Sequence, residues 1–469
     1  MKVAIVGGGI TGLAAAHRLN ELDPTVDVHL FESSDRLGGV LRTERSGDFL
    51  LEHSADMFTT KDTAAIELCK RIGFEDELIQ TNGKFQRAFI VKGNSLVPVP
   101  KGLNLMSPSN LDAIRETTLL SSAGKKRFLD EVNVPPKLEN QDDSLFEFAT
   151  RRFGAEAYDK IIQPLVGGIY TADPKKLSMQ ATLNQYLDME RRHGSVIGAM
   201  ARQKKVGEND SLKSDAVVTS GARYNLFLAP RNGMAAWIAA LQSRLTNTTI
   251  QLNSFVRSIS SEGASWRLQS SSGESEFDRV LISTPASIAA KLLCDVDQEL
   301  SRQLQTICYA SSAIVVHGFS RESVEDSLEG FGFVVPLSES RNILAASFSS
   351  VKYAGRSPDE SVLIRSFVGG ACQPELLEQT DASICDMVKE DLADLLGVKG
   401  APQLESVVRW TESMPQYHVG HTDLVAQIES SVASINHLAI AGKSYKGVGI
   451  PACVQSGESA AESLLDSAR

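Results

Sequence analysis

The chain has no CxxC pair: its six cysteines, Cys69, Cys294, Cys308, Cys372, Cys385 and Cys453, are scattered over 469 residues. That distribution argues against a zinc site and against a disulfide-stapled secreted domain, and it fits a reducing, cytoplasmic compartment. Basic residues are not in excess. Lys and Arg number 47 against 58 Asp and Glu, for a formal net charge of −11, whereas neutralising nucleic-acid phosphates takes clustered cations; nucleic acid is not an expected partner. No stretch reaches the ~20 apolar residues of a membrane-spanning helix. The opening MKVAIVGGGITGLAAAHRL is broken by glycines and lacks a cleavage pattern, so it reads as the first structural element and not as a signal peptide. There is no HExxH, and no Ser-His-Asp or Cys-His set can be assembled. His53, His317, His418, His421 and His437 therefore read as structural or surface residues, with no metal expected.

What is present is a globular composition, 42% hydrophobic and 22% charged. A single core stops growing at roughly 250–300 residues, so two or three domains are expected. Internal repeats, low-complexity tracts and long linkers are missing, and the domains are expected to interleave along the chain. Lys2 to Val6 is a β-branched run, Gly7 to Gly12 a tight turn, and Thr11 to Leu22 carries apolar residues at helical spacing. Asp27 to Glu32 alternates like a strand and ends on a carboxylate, completing a βαβ unit. From Ser107 to about Gln203 the pattern is helical. After Gly233, TIQLNSFVRSI, SWRLQSS and FDRVLISTP read as a meander whose last strand stops at Pro285. Ser311 to Phe367 predicts a second sheet, Met387 to Leu396 an amphipathic helix, and HLAIAG a strand that leads through a glycine turn into a helix from about Pro451 to Leu465.

Gly7, Gly9 and Gly12 form G-x-G-x-x-G between a predicted strand and a predicted helix, where glycines make the turn and admit a pyrophosphate to the helix N-terminus. Glu32, twenty residues beyond Gly12, stands where a carboxylate can accept hydrogen bonds from ribose hydroxyls. This predicts dinucleotide binding. It does not separate NAD from FAD, which present the same ADP half.

The residues that follow, Glu32-Ser-Ser-Asp-Arg36-Leu-Gly38-Gly39, make that separation through likeness: the sequence resembles the FAD-dependent amine-oxidase-like superfamily. Its ExxxRxGG extension and following arginine are matched at Glu32, Arg36, Gly38, Gly39 and Arg42. The closing segment HLAIAGKSYKGVGIPACVQSG resembles the same superfamily's flavin segment, in which Gly442 and a helix N-terminus at Val448 to Ile450 face the flavin; a helix dipole there favours negative charge on the reduced ring. The resemblance implies an FAD site built from Gly7, Gly9, Ile10, Thr11, Gly12, Glu32, Ser33, Arg36, Gly38, Gly39, Val40, Ala55, Asp56, Met57, Val256, Trp410, Gly442, Val448, Gly449 and Ile450.

Five segments resemble the porphyrinogen oxidases of haem biosynthesis in particular: Gln86 to Pro100, Phe153 to Met179, Leu228 to Trp237, Trp410 to His421 and Ser444 to Gly457. The resemblance implies an oxygen-dependent oxidase that takes six electrons from protoporphyrinogen IX or coproporphyrinogen III, with hydride transfer to FAD, dioxygen as acceptor and hydrogen peroxide as product. The cofactor carries the chemistry, so no strong side-chain base is required and no catalytic side chain is named. Arg87 is placed as the cation for a substrate propionate, a contact of roughly 1.5–3 kcal/mol if desolvated. Two departures stand out: His53-Ser54 replaces the usual Gly-Pro, and Asn232 replaces a second glycine beside Gly233, a change that a residue tolerant of positive φ absorbs.

The expected fold is α/β, with a discontinuous Rossmann-like FAD-binding domain (1–85, 226–290 and 405–469), a mixed β-sheet substrate domain (86–105, 206–225 and 291–404) and a helical lobe (106–205), the active site lying between the first two. In relatives the helical lobe can attach to a membrane surface, and the apolar residues of LVPVPKGLNLMSPSNL suggest peripheral contact on the inner face here; a homodimer is compatible with this reading. Two rival functions remain: a flavin amine oxidase or carotenoid desaturase, and, from another class, a non-catalytic dinucleotide-binding protein.

Overall fold

The computed structural model describes residues 1–137, 141–202, 226–263 and 265–466; the segment 206–225, expected in the substrate domain, lies outside them. Two compact units make up the chain: Met1–Gln80, Leu226–Cys308 and His421–Arg469 form the first, Thr81–Asn225 and Tyr309–Gly420 the second.

The first unit is built on a five-stranded sheet whose strands all run parallel, in the order Thr248–Gln251, Asp27–Phe31 (β2), Lys2–Val6 (β1), Arg279–Ile282, Leu438–Ile440. Its central strands read as unbroken apolar runs because both faces are covered. The helix Ile10–Leu22 (α1) follows β1, with Leu13 to Ala16 and Leu19 fully buried. The strand order reverses between β1 and Arg279–Ile282, which is where a doubly wound sheet opens a crevice at its carboxyl edge. The expected meander is divided. Thr248–Gln251 and Arg279–Ile282 enter the parallel sheet, while Val256–Glu262, Ser265–Ser270 and Gly273–Phe277 form a separate antiparallel sheet.

The second unit carries a mixed seven-stranded sheet, ordered Leu404–Pro415, Tyr309–Ser320, Ser361–Gly369, Ile343–Phe348, Gly332–Val334, Phe89–Lys92, Ser95–Pro98, parallel only between Gly332–Val334 and Phe89–Lys92. The amphipathic helix Asp381–Leu396 lays Ile384, Val388 and Leu392 into the same apolar cluster as Val315, Phe319 and Ile364. Helices from Leu111 to His193 pack around Phe128, Phe148, Phe153, Ile161 and Tyr186.

The boundaries differ from those expected in three respects. The helices and the mixed sheet share one unit, because Ile90 of the sheet lies inside the helices' own cluster. The helix Gln298–Gln305 belongs with the first unit, where Ser301 Oγ donates to Ala290 O at 2.8 Å and Ser431 Oγ donates to Gln303 Oε1 at 3.2 Å. Residues 405–420 belong with the second, because Leu404–Pro415 pairs along its length with Tyr309–Ser320. The segment expected to meet a membrane is spent on the core: Leu103 and Met106 are buried, and Val97, Val99 and Leu105 pack partly buried against the same cluster. No helix among the described residues is long and apolar enough to cross a membrane.

Candidate dinucleotide and substrate sites

The turn after β1 is shaped by what would happen to a side chain at each glycine. A Cβ on Gly12 would lie 2.0 Å from the Gly7 carbonyl oxygen, so α1 can start this close to the strand only with glycine there. A Cβ on Gly9 meets nothing within 4 Å. Gly9 caps α1 without a side chain, in extended conformation, and the first helical bond runs from Leu13 N–H to Gly9 O at 3.0 Å, leaving the amides of Ile10, Thr11 and Gly12 outside the helix's own ladder. The first turn has no acidic residue. Open space, amides outside the ladder and an uncompensated positive helix end together suit a pyrophosphate. Ser283, at the end of Arg279–Ile282, braces the turn by sharing its hydroxyl between Val6 O (3.1 Å) and Gly7 O (2.9 Å).

Glu32 follows β2 directly, beside this turn. Its Oε2 accepts from Gly8 N–H at 2.7 Å, and its Oε1 accepts from the Ser34 amide and hydroxyl, both at 2.8 Å, with the Ser33 hydroxyl at 3.4 Å. The carboxylate is thereby fixed in place, and each of its oxygens can accept more than one donor. Arg36 is held by its own loop. It donates to the carbonyls of Leu37 (3.2 Å), Gly39 (2.6 Å) and Leu41 (3.0 Å), and burial lowers its pKa. It thus shapes the loop holding Gly38, Gly39 and Val40, and Gly38 in turn bridges to Gly9.

The end of the chain returns to the same place. Helix Ile450–Asp466 crosses α1 so closely that a Cβ on Gly457 would stand 2.2 Å from the Thr11 carbonyl oxygen. Gly442, at φ 128°, donates its amide to Ser456 Oγ at 2.9 Å. Val448 and Gly449 precede the helix, Ile450 is buried in the core, and no acidic residue occupies the first turn. Val256 is buried at the start of the small antiparallel sheet, next to a register shift. Ala55, Asp56 and Met57 lie between the strands Phe49–Glu52 and Phe58–Thr59, with Asp56 buried. All of these fall in the first unit. Trp410 alone falls in the second, half-buried in Leu404–Pro415 beside a bulge where Glu412 takes φ 43° and donates its amide to Ser311 Oγ at 2.9 Å.

The two sequence departures resolve locally. His53 is fully buried with Nε2 3.0 Å from Glu44 Oε2. At Arg231-Asn232-Gly233 the positive φ falls on Gly233, at 86°, and not on Asn232, which accepts from Arg45 at 3.2 Å; the asparagine's tolerance of that region is not what the turn uses.

In the second unit, Arg87 precedes Phe89–Lys92 as expected, but its guanidinium is half-exposed and paired with Glu329, NH2 lying 2.5 Å from Oε2. An exposed pair of this kind is worth about 0–1 kcal/mol, so an arriving carboxylate can exchange with Glu329. The helix Gln163–Tyr170 and the left-handed Thr171 border a shallow surface hollow with Val335, Leu337, Leu344 and Cys372. Sequence reasoning named this Gly167-Gly168-Ile169-Tyr170 segment only through its likeness; its place on a hollow is a structural result. Missed altogether were Gly8 and Ser283.

His317, Cys385 and Glu405 bring their ligand atoms within 4.8 Å of one another. Lys389 Nζ already stands 3.1 Å from Glu405 Oε1 and 2.9 Å from Asp386 Oδ1, and burial pushes the Cys385 thiol up to about 11, so the cluster has its cation and keeps its thiol protonated. Burial also pushes His317 down to about 4 from 6.5, with Glu405 opposing and Lys389 assisting. The unfolded chain then takes up a proton that the folded chain refuses. The stability held above pH 6.5 falls as pH drops towards 4, by up to about 3 kcal/mol. Denaturant unfolding of the native protein and of His317→Phe between pH 7 and pH 4.5 measures this: the variant is expected to show a flatter dependence, by about one proton, and equal slopes refute the assignment.

A crevice at the strand-order reversal, a glycine turn open for a pyrophosphate and an acidic residue at the end of β2 define a dinucleotide-binding α/β protein. The chain belongs to the family of flavin-containing amine oxidoreductases, whose model matches residues 10–465. It is 31% identical to the coproporphyrinogen III oxidase of Staphylococcus aureus (strain NCTC 8325 / PS 47), over 99% of each chain. It is 30% identical to the coproporphyrinogen III oxidase of Bacillus subtilis (strain 168), over 99% of this chain and 97% of that one. Among solved structures, a putative protoporphyrinogen oxidase from Exiguobacterium sp. 255-15 superposes with a TM-score of 0.87 at 29% identity, over 99% of both chains. The protein is accordingly an FAD-dependent oxidase, and the turn at Gly7 to Gly12 with Glu32 beside it suits the ADP half of that cofactor.

Proposed function

We propose that the protein oxidises a porphyrinogen to the porphyrin in haem biosynthesis, with coproporphyrinogen III as the first substrate to test. The observation that carries this reading is full-length similarity at 30–31% identity to two coproporphyrinogen III oxidases. In this reading the amides of Ile10 to Gly12 hold the pyrophosphate of FAD, Glu32 takes the ribose hydroxyls, and Arg36 keeps the Gly38-Gly39 loop in shape. Bound FAD supplies the redox chemistry, accepting the equivalent of a hydride in each round and yielding it to dioxygen. The chain contributes binding, orientation and exclusion of water. Its described residues supply Arg87 for a propionate, with Glu329 as the anion that the propionate replaces.

Turnover of coproporphyrinogen III and protoporphyrinogen IX, followed by porphyrin fluorescence and oxygen uptake on the purified yellow protein, tests the proposal. Porphyrin formation with hydrogen peroxide release supports it, and failure on both substrates overturns it. The Arg87 assignment has its own test. Arg87→Ala is expected to raise KM about fivefold with kcat nearly unchanged, because the propionate contact is the same in ground and transition states. Glu329→Gln is expected to lower KM by removing the competitor. Unchanged KM in both variants removes Arg87 from the site.

A further inference from the structure

We propose that His317, Cys385 and Glu405 form a binding site for a thiophilic divalent cation, zinc in the first instance, on the helix-covered face of the seven-stranded sheet. The site lies wholly within the second unit and does not depend on what the first unit binds.

No spacing motif marks this site, because strand pairing and helix packing assemble it, not nearness along the chain. His317 and Glu405 stand directly opposite each other across Tyr309–Ser320 and Leu404–Pro415. His317 shares its face of the strand with Val315 and Phe319, which lie in the cluster that the helix Asp381–Leu396 covers, and Cys385 of that helix belongs to the same cluster. The three ligand atoms come within 4.8 Å of one another. Zinc bonds of about 2.0–2.3 Å set two ligands of a tetrahedron roughly 3.3–3.8 Å apart, so an inward movement of about 1 Å closes the site. Imidazole, thiolate and carboxylate together suit zinc, whereas magnesium and calcium take oxygen ligands.

The imidazole carries the inference. His317 is fully buried with its ring stacked on Phe319, centroids 5.6 Å apart. Neither ring nitrogen has a hydrogen-bond partner among the described residues, and Nε2 stands 3.5 Å from Glu405 Oε1. A buried polar group in that state bears its desolvation without return, and a metal ion on the ring relieves it. Burial keeps the ring neutral at pH 7, the form that ligates. The way in is past Glu405, whose side chain is 39% exposed while His317 and Cys385 are buried.

In the metal-free chain Lys389 holds the carboxylate. Its ammonium is shared between Glu405 Oε1 at 3.1 Å and Asp386 Oδ1 at 2.9 Å, so it can release the first and keep the second. The exchange balances: the cation enters, the Cys385 thiol gives its proton to solvent and ligates as thiolate, Lys389 stays protonated on Asp386, and water takes the fourth position. Two paired strands and the helix over them are then tied together.

The test titrates zinc into the chelator-treated, FAD-loaded protein and into Cys385→Ser, Glu405→Gln and Lys389→Met, by calorimetry in buffers of different ionisation enthalpy so that released protons are counted. Cobalt(II) repeats the titration by absorption in the red, beyond the flavin's own bands. The native protein is expected to bind a single zinc with release of about one proton at pH 7, to melt higher when loaded, and to show the intense red bands of tetrahedral cobalt. Cys385→Ser is expected to weaken zinc by about a hundredfold and to lose those bands, and Glu405→Gln to weaken it by about tenfold. Lys389→Met is expected to tighten it by about threefold, because the competitor for Glu405 is gone. Glu405→Gln, a change at the exposed ligand, decides the matter if Cys385→Ser is not recovered folded. Zinc affinity unchanged in both ligand variants assigns the ion to the exposed Cys294, Cys308 or Cys372 and overturns the proposal. So does a native protein that binds no zinc.

Discussion

Gly9→Ala is expected to empty the protein of FAD while leaving the apoprotein as stable as before, and Gly12→Ala to damage the fold itself. The two glycines differ in what surrounds them. At Gly9 a methyl group points into space free for 4 Å, so the apoprotein loses nothing, but that space is the one a pyrophosphate must enter to reach the amides of Ile10 to Gly12. At Gly12 the methyl would sit 2.0 Å from the Gly7 carbonyl and 2.7 Å from Ser283 Oγ. The first of these contacts is with backbone, so relief requires the strand–helix turn to open, at a cost of about 1–3 kcal/mol or more. Flavin content after purification and the melting temperature of the apoprotein separate the cases: Gly9→Ala is expected to lose at least tenfold in FAD affinity without a shift in melting, and Gly12→Ala to lose both. Full flavin occupancy in Gly9→Ala removes this turn from the cofactor site.

Glu131→Ala is expected to be the most destabilising single substitution in the second unit. Glu131 and Arg152 are both fully buried, and Arg152 Nε donates to Glu131 Oε1 at 2.7 Å. The same carboxylate accepts from the Val196 and Ile197 amides at 2.9 and 3.1 Å and from the Ser195 hydroxyl at 2.5 Å. Arg152 also donates to the carbonyls of Val134 and Gly194. Removing the carboxylate takes from the buried Arg152 its closer charge partner, leaving only Glu190 at 3.3 Å, and strands two amides, a loss of about 3–5 kcal/mol. Against the 5–15 kcal/mol typical of a folded protein, that is a large share. Arg152→Met combined with Glu131→Met is expected to cost less than the sum of the single changes, since neither charge is then left alone. A loss below about 1 kcal/mol for Glu131→Ala in denaturant unfolding contradicts this account.

The parts of the fold legible in the sequence were those set by neighbours along the chain. The run Lys2 to Leu22 carries its own turn glycines and its own periodicity, and it folds as β1, turn and α1 within a residue of the expected bounds. The closing strand and helix were legible for the same reason. Non-local pairing was not. Thr248–Gln251 looks like its antiparallel neighbours in sequence, and only β2 draws it into the parallel sheet. Residues 405–415 were expected in the FAD-binding domain, yet the strand Leu404–Pro415 is claimed by Tyr309–Ser320 of the other unit.

The candidate site divides in the same way. Glycine positions and Glu32 were legible because a turn dictates them. The roles of the cations were not, because a side chain's partner is fixed by the fold. Arg36 is tied to loop carbonyls and Arg87 meets Glu329, partners that the sequence does not show.

The most direct measurement is anaerobic titration of the oxidised, FAD-loaded protein with coproporphyrinogen III, followed at the flavin absorbance. The account predicts that the yellow colour bleaches, that porphyrin appears in proportion to the electrons taken up, and that admitting oxygen restores the colour with release of hydrogen peroxide. A flavin that stays oxidised with porphyrinogens and bleaches with a primary amine or a polyene contradicts it.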